Sequence, residues 1–64
     1  MNRGRQMTDL QKQIDYLELQ GNNAELLSLL SFDPQARRRY KLLAYNYRLQ
    51  AVELRYSVAV AQAA

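Results

Sequence analysis

Residues 34–62, PQARRRYKLLAYNYRLQAVELRYSVAVAQ, contain nothing that would stop a helix once the proline at their start is passed. Two stripes of large apolar side chains run along this stretch. The first is Leu42, Tyr45, Leu49, Val52 and Tyr56, in steps of three and four residues. The second is Tyr40, Leu43, Tyr47, Leu54 and Val58. At about 100° per residue the stripes fall on nearly opposite sides of one helix. A single short chain can cover one of them, and the other must meet a second copy or a different protein. We assign the dimer contact to Leu42, Tyr45, Leu49, Val52 and Tyr56, although spacing alone allows either stripe to take that role.

Asp33 followed by Pro34 is the clearest punctuation in the chain. Aspartate is a strong N-cap, and proline suits the first helical position. Upstream, Thr8 and Gln11 form a Thr-x-x-Gln capping-box pattern. Leu10, Ile14 and Leu17 follow on one face, with Leu19 alongside, and Gly21 is a natural C-cap. Asn22 could then cap a second short helix carrying Ala24, Leu26, Leu27, Leu29 and Leu30. Alternatively, residues 21–23 are a kink within one continuous helix, because Gly and Asn each cost only about 0.5–1 kcal/mol in a helix interior. Either way, residues 8–31 and 34–62 make two arms of similar length around a tight connection. At ~1.5 Å per residue each arm is roughly 35–45 Å long. A connection this short favours an antiparallel pair. The expected fold is therefore all-α: an antiparallel helical hairpin, its first arm either broken at Gly21 or continuous through it, paired as a homodimer. Residues 1–7 read as a disordered arm and residues 8–64 as a single domain with a frayed end after residue 58.

Size supports the pairing. Sixty-four residues make one domain at most, and a domain this small needs disulfides, a metal or oligomerisation. There are no cysteines, so the first route is closed. There are no histidines either, which argues against zinc, so we expect no metal and no cofactor. Absence of cysteine also fits a cytoplasmic protein. No segment approaches the ~20 apolar residues of a membrane span, so no membrane partner is expected. Arg3 and Arg5 have no apolar run behind them and do not read as a signal peptide.

An enzyme is not expected. The commonest general base and the best nucleophile are both missing. Asp15 and Glu18 lie one turn apart, but such a pair is ordinarily a solvated helix face. No glycine-rich phosphate loop is present.

Charge is more informative. The net charge is +3, and five of the nine basic residues lie within residues 37–48. Arg37, Lys41, Arg48 and Arg55 fall within about 40° on the helical wheel and form a basic ridge between the apolar stripes. Arg38 and Arg39 widen it at the N-terminal end. One reading is plain surface, with ion pairs to Asp15 or Glu18 on the facing arm. The other is a binding ridge, because positive charge at a helix N-terminus is mildly unfavourable and its retention there needs a reason. Tyr40 lies beside Arg39 and Lys41, and tyrosine with arginine is a common interface anchor, although Tyr40 also suits core packing. The candidate partner-binding residues are thus Arg37, Arg38, Arg39, Tyr40, Lys41 and Arg48.

In length and layout the chain resembles small helical regulators encoded by bacteriophages, in particular quorum-sensing anti-activator proteins. The similarity rests on residues 8–31, on Asp33 with Pro34, and on the long helix carrying Arg37, Arg38, Arg39 and Tyr40. It implies a small homodimeric protein that binds and inhibits a larger host regulatory protein, a transcriptional activator of the LuxR type, in the bacterial cytoplasm. The alternative is a dimeric helical nucleic-acid-binding protein that lays the basic ridge on phosphates. Against it, +3 is a weak charge for a dedicated binder and the pI is only about 9.6.

Overall fold

The structure, a computed structural model, describes residues 2–63, with side chains for residues 9–63. It is all-α. Helix α1 spans Asn2–Leu30 and helix α2 spans Pro34–Ala63, and the two pack side by side as an antiparallel hairpin. The molecule is a thin rod of 49 × 17 × 10 Å. Its radius of gyration is 14.8 Å, whereas a compact domain of this length has about 11 Å.

The connection forms as its residues dictate. The residue before a proline is pushed out of the α region, which ends α1 ahead of Asp33. Asp33 then starts α2. Its Oδ1 accepts the Gln35 backbone N–H at 3.3 Å, and its carbonyl accepts the Arg37 N–H at 2.9 Å. This is N-cap geometry, with Pro34 at the first helical position. Arg37 also reaches back, its Nε donating to the Ser31 carbonyl at 2.7 Å. That bond satisfies one of the carbonyls left open at the end of α1. No glycine and no second proline interrupts residues 35–63.

The first arm is one helix. It continues through Gly21, Asn22 and Asn23 without a break, so neither the C-cap at Gly21 nor a new start at Asn22 is used. The capping box at Thr8 is not a helix start either, because Thr8 lies inside α1; Gln11 instead donates Nε2 to Asp15 Oδ1 at 2.9 Å, one turn on. Residues 1–7, read as an arm, contribute their backbone from Asn2 to α1, and their side chains lie outside the described set.

Packing explains why Gly21 does not break the helix. The buried and half-buried positions of α1 include Leu10, Ile14, Leu17, Gly21, Ala24 and Ser28, in alternating steps of four and three, and Ser31 continues the pattern just past its end. Those of α2 are Ala36, Tyr40, Ala44, Tyr47, Ala51, Leu54 and Val58. This is the seam of an antiparallel coiled-coil-like pair. Its centre is small: Gly21, Ala24 and Ser28 from α1, Ala44 and Ala51 from α2. A Cβ placed on Gly21 would lie 3.1 Å from Arg48 Cγ, 3.5 Å from the Ala44 carbonyl oxygen and 3.6 Å from Tyr47 Cβ. Gly21 therefore sits where α2 comes close to α1, and packing holds the helix across it. Ser28 is buried without penalty, since its Oγ donates to the Glu25 carbonyl at 2.6 Å.

The second stripe of α2 is thus the one α1 covers, through Tyr40, Tyr47, Leu54 and Val58, while Leu43 stays exposed. The cost of so narrow a seam is a small core. Among the described residues the buried apolar side chains are Ile14, Ala24, Ala44 and Ala51.

Candidate interaction surface

Three surfaces flank the seam. The first is the outer face of α2. Its steps of three and four residues hold Leu42, Tyr45, Leu49, Val52 and Tyr56 in one line outside the seam, with Tyr45 and Val52 at its edge toward α1. These side chains are between 42% and 70% exposed, and Val60 extends the line toward the C-terminal end. Single exposed apolar residues need no explanation, but a contiguous row of five or six marks a contact surface.

The second surface is the edge on which the basic ridge lies. Arg48 pairs with Glu25, and its Nη2 also donates to Asn22 Oδ1 at 3.4 Å. Arg55 pairs with Glu18. The expected pairing to Glu18 forms; Asp15 takes no arginine and instead accepts from Gln11. A hollow of about 240 Å³ lies along this edge, lined by Glu18, Asn22, Arg48, Ala51, Val52 and Arg55. A second, of about 360 Å³, lies nearer the turn and includes Glu25, Lys41, Tyr45 and Arg48. Both pairs are largely exposed, so each contributes at most about 1 kcal/mol. Their effect is to occupy two of the ridge's cations. Among the described residues no group of three acidic side chains converges on a point that could hold a metal. No helix of the described residues is long and apolar enough to cross a membrane.

The third surface is the tip of the hairpin. The candidate binding residues divide here. Arg37 is committed to the turn through Ser31. Tyr40 is half-buried on the seam. Arg38, Arg39 and Lys41 are exposed, and among the described residues none of them has an ion-pair partner. The structure therefore does not gather all six into one patch. Arg38, Arg39 and Lys41 share the tip, while Arg48 lies further down the rod against Glu25.

The tip also holds residues that sequence reasoning passed over. Phe32 is fully exposed at the apex, and Leu29 and Leu30 beside it are 67% and 65% exposed. The only signal in the sequence is position: an aromatic beside the Asp33 cap cannot belong to either helix. The leucines gave less warning, because a run such as residues 26–30 reads as helix content whichever way each side chain points.

Comparison of the chain with models of protein families, with curated proteins and with solved structures finds no match.

Proposed function

We propose that this chain is a small homodimeric binding protein that engages a larger regulatory protein and inhibits it, acting in the bacterial cytoplasm. The observation that carries the reading is the uncovered stripe of α2. The hairpin exposes 5461 Å², whereas a compact monomer of 7.5 kDa exposes about 4,200 Å² by the usual surface scaling. The excess, about 1,200 Å² per copy, matches what each subunit contributes to an obligate homodimer interface of roughly 2,000 Å² or more. Leu42, Tyr45, Leu49, Val52 and Tyr56 are part of the exposed apolar surface, alongside Tyr16, Leu19, Leu26 and Leu27 on α1, and a second copy covers the α2 stripe. Dimerisation leaves the two tips as the cationic surfaces that meet the partner.

The partner class comes from the likeness to phage anti-activators: a transcriptional activator of the LuxR type, prevented from binding DNA. The nucleic-acid reading is weaker on this surface, because Arg48 and Arg55 are already held by Glu25 and Glu18. One experiment separates them. A purified LuxR-type activator is bound to its operator, and the chain is titrated in at two salt concentrations. Release of the activator at stoichiometric amounts, with little dependence on salt, supports the inhibitor. If the chain shifts the free DNA or an RNA duplex instead, with affinity falling steeply in salt, the phosphate-binding reading is the right one. An activator that stays on its operator at large excess of chain rules out this target.

A further inference from the structure

Residues around the turn of the hairpin carry a marked excess of positive charge. Residues 29–41 carry Arg37, Arg38, Arg39 and Lys41 against Asp33 alone, a balance of +3. The rest of the chain sums to zero but unevenly, with Arg3, Arg5 and Lys12 against Asp9 in residues 1–12 and Arg48 and Arg55 against Asp15, Glu18, Glu25 and Glu53 elsewhere. Among the described residues the most exposed large apolar side chain, Phe32, lies at that same end, with Leu29 and Leu30 beside it. Cationic and apolar character thus coincide on the tip of a 49 Å rod.

We propose that this tip docks on an acidic amphipathic segment of a partner protein. The apolar stripe of that segment receives Phe32, Leu29 and Leu30, and carboxylates flanking the stripe meet Arg38, Arg39 and Lys41. The inference rests on the inhibitory reading above and names the chemistry of its contact. Three observations select this occupant. The three cations have no acidic partner among the described residues, so their charge is available to an outside carboxylate. Phosphates of a nucleic acid would use the arginines and leave a fully exposed phenylalanine and two leucines in water. An anionic bilayer would accept both, and the vesicle titration is the arm of the test that decides against it or for it. The apex is also held in one shape, by the Asp33 cap and by the bond from Arg37 to Ser31, so little ordering opposes docking.

The chain has no tryptophan, so Phe32→Trp places a single reporter at the apex. The full chain carrying this substitution, checked for helicity, is titrated with a synthetic helical peptide bearing a leucine stripe flanked by glutamates. It is also titrated with the same peptide carrying glutamines, with vesicles of mixed phosphatidylcholine and phosphatidylserine, and with an RNA duplex. The expected result is a saturable blue shift of the indole emission with the glutamate peptide. Binding should weaken roughly tenfold or more with the glutamine peptide, or when Arg38→Ala and Arg39→Ala are added. No shift with the glutamate peptide, or equal shifts with both peptides, overturns the proposal. So does tighter binding to the vesicles or the RNA than to the glutamate peptide. The two readings fail separately. A chain that releases the activator but shows no indole shift keeps the inhibitory role and loses the tip. A chain that binds the peptide but leaves the activator on DNA keeps the tip and loses that target.

Discussion

Gly21 and Asp33 show how one residue type can be read from two sides. In sequence, a glycine followed by two asparagines looks like the end of a helix. In the structure Gly21 is buried between the helices, where a methyl group nearly fits but a larger side chain would not. The two effects of adding a methyl group can be weighed. Alanine is favoured over glycine in a helix interior by about 1 kcal/mol. The tightest neighbour of the new methyl is Arg48 Cγ, part of an exposed side chain that can shift by a few tenths of an ångström, and the other two contacts are ordinary. Gly21→Ala should therefore be neutral or stabilise by up to about 1 kcal/mol, whereas Gly21→Leu must displace the Ala44 carbonyl and Tyr47 and should cost roughly 2 kcal/mol or more. Thermal melts of both variants at one protein concentration check the ordering; a leucine variant as stable as the parent would mean that the helices do not approach here. Asp33 was legible, because an N-cap followed by proline is a local signal that needs no tertiary context. Asp33→Ala removes the acceptor for the Gln35 N–H and should lower stability by about 0.5–2 kcal/mol in the same assay. An unchanged melting temperature would show that the cap is replaced by water at no cost.

The two helices differ in how much of their packing could be read ahead. For α2 the opposite-sided stripes were visible, since large apolar side chains at helical spacing carry a strong periodic signal. What spacing could not say was which stripe faces α1. That choice is made by Ala44 and Ala51, which share the side of Tyr40, Tyr47, Leu54 and Val58 and let the backbones close up. Small residues carry little weight in a hydrophobic count, so the seam was under-read, and the same holds for Ala24 and Ser28 on α1. The outer stripe then has a role distinct from the seam, and a substitution can separate them. Leu49 stands at the middle of that stripe, 42% exposed and outside the seam. Leu49→Asp should abolish self-association in sedimentation. It should also lower helicity at micromolar concentration, because a hairpin with so few buried side chains depends on its partner for stability. A variant that still sediments as a dimer would move the contact to another face. Tyr40→Ala is the complementary case: the half-buried ring is on the seam, so its loss should reduce the melting temperature. Arg38→Ala, on an exposed and unpaired side chain, should leave it within about 0.5 kcal/mol of the parent.

The whole rod combines a narrow seam, an uncovered apolar row and a charged end, and these properties constrain one another. A pair of helices can bury only one side of each, so 64 residues in this arrangement leave more surface in water than a compact fold of the same mass. The charged end could not be seen as an end until the hairpin brought Phe32 and residues 37–41 together at its tip, although each was plain in the sequence. The proposed association has a thermodynamic signature that does not depend on knowing the geometry. If folding and dimerisation are linked, the melting temperature must rise with protein concentration, because mass action favours the associated native state over the separated unfolded chains. Calorimetric or circular-dichroism melts over a hundredfold range of concentration should show that rise, and Leu49→Asp should flatten it. A melting temperature independent of concentration in the parent chain, together with a monomeric sedimentation profile, would mean that the hairpin is stable alone. The apolar row of α2 would then be left for a different protein to cover.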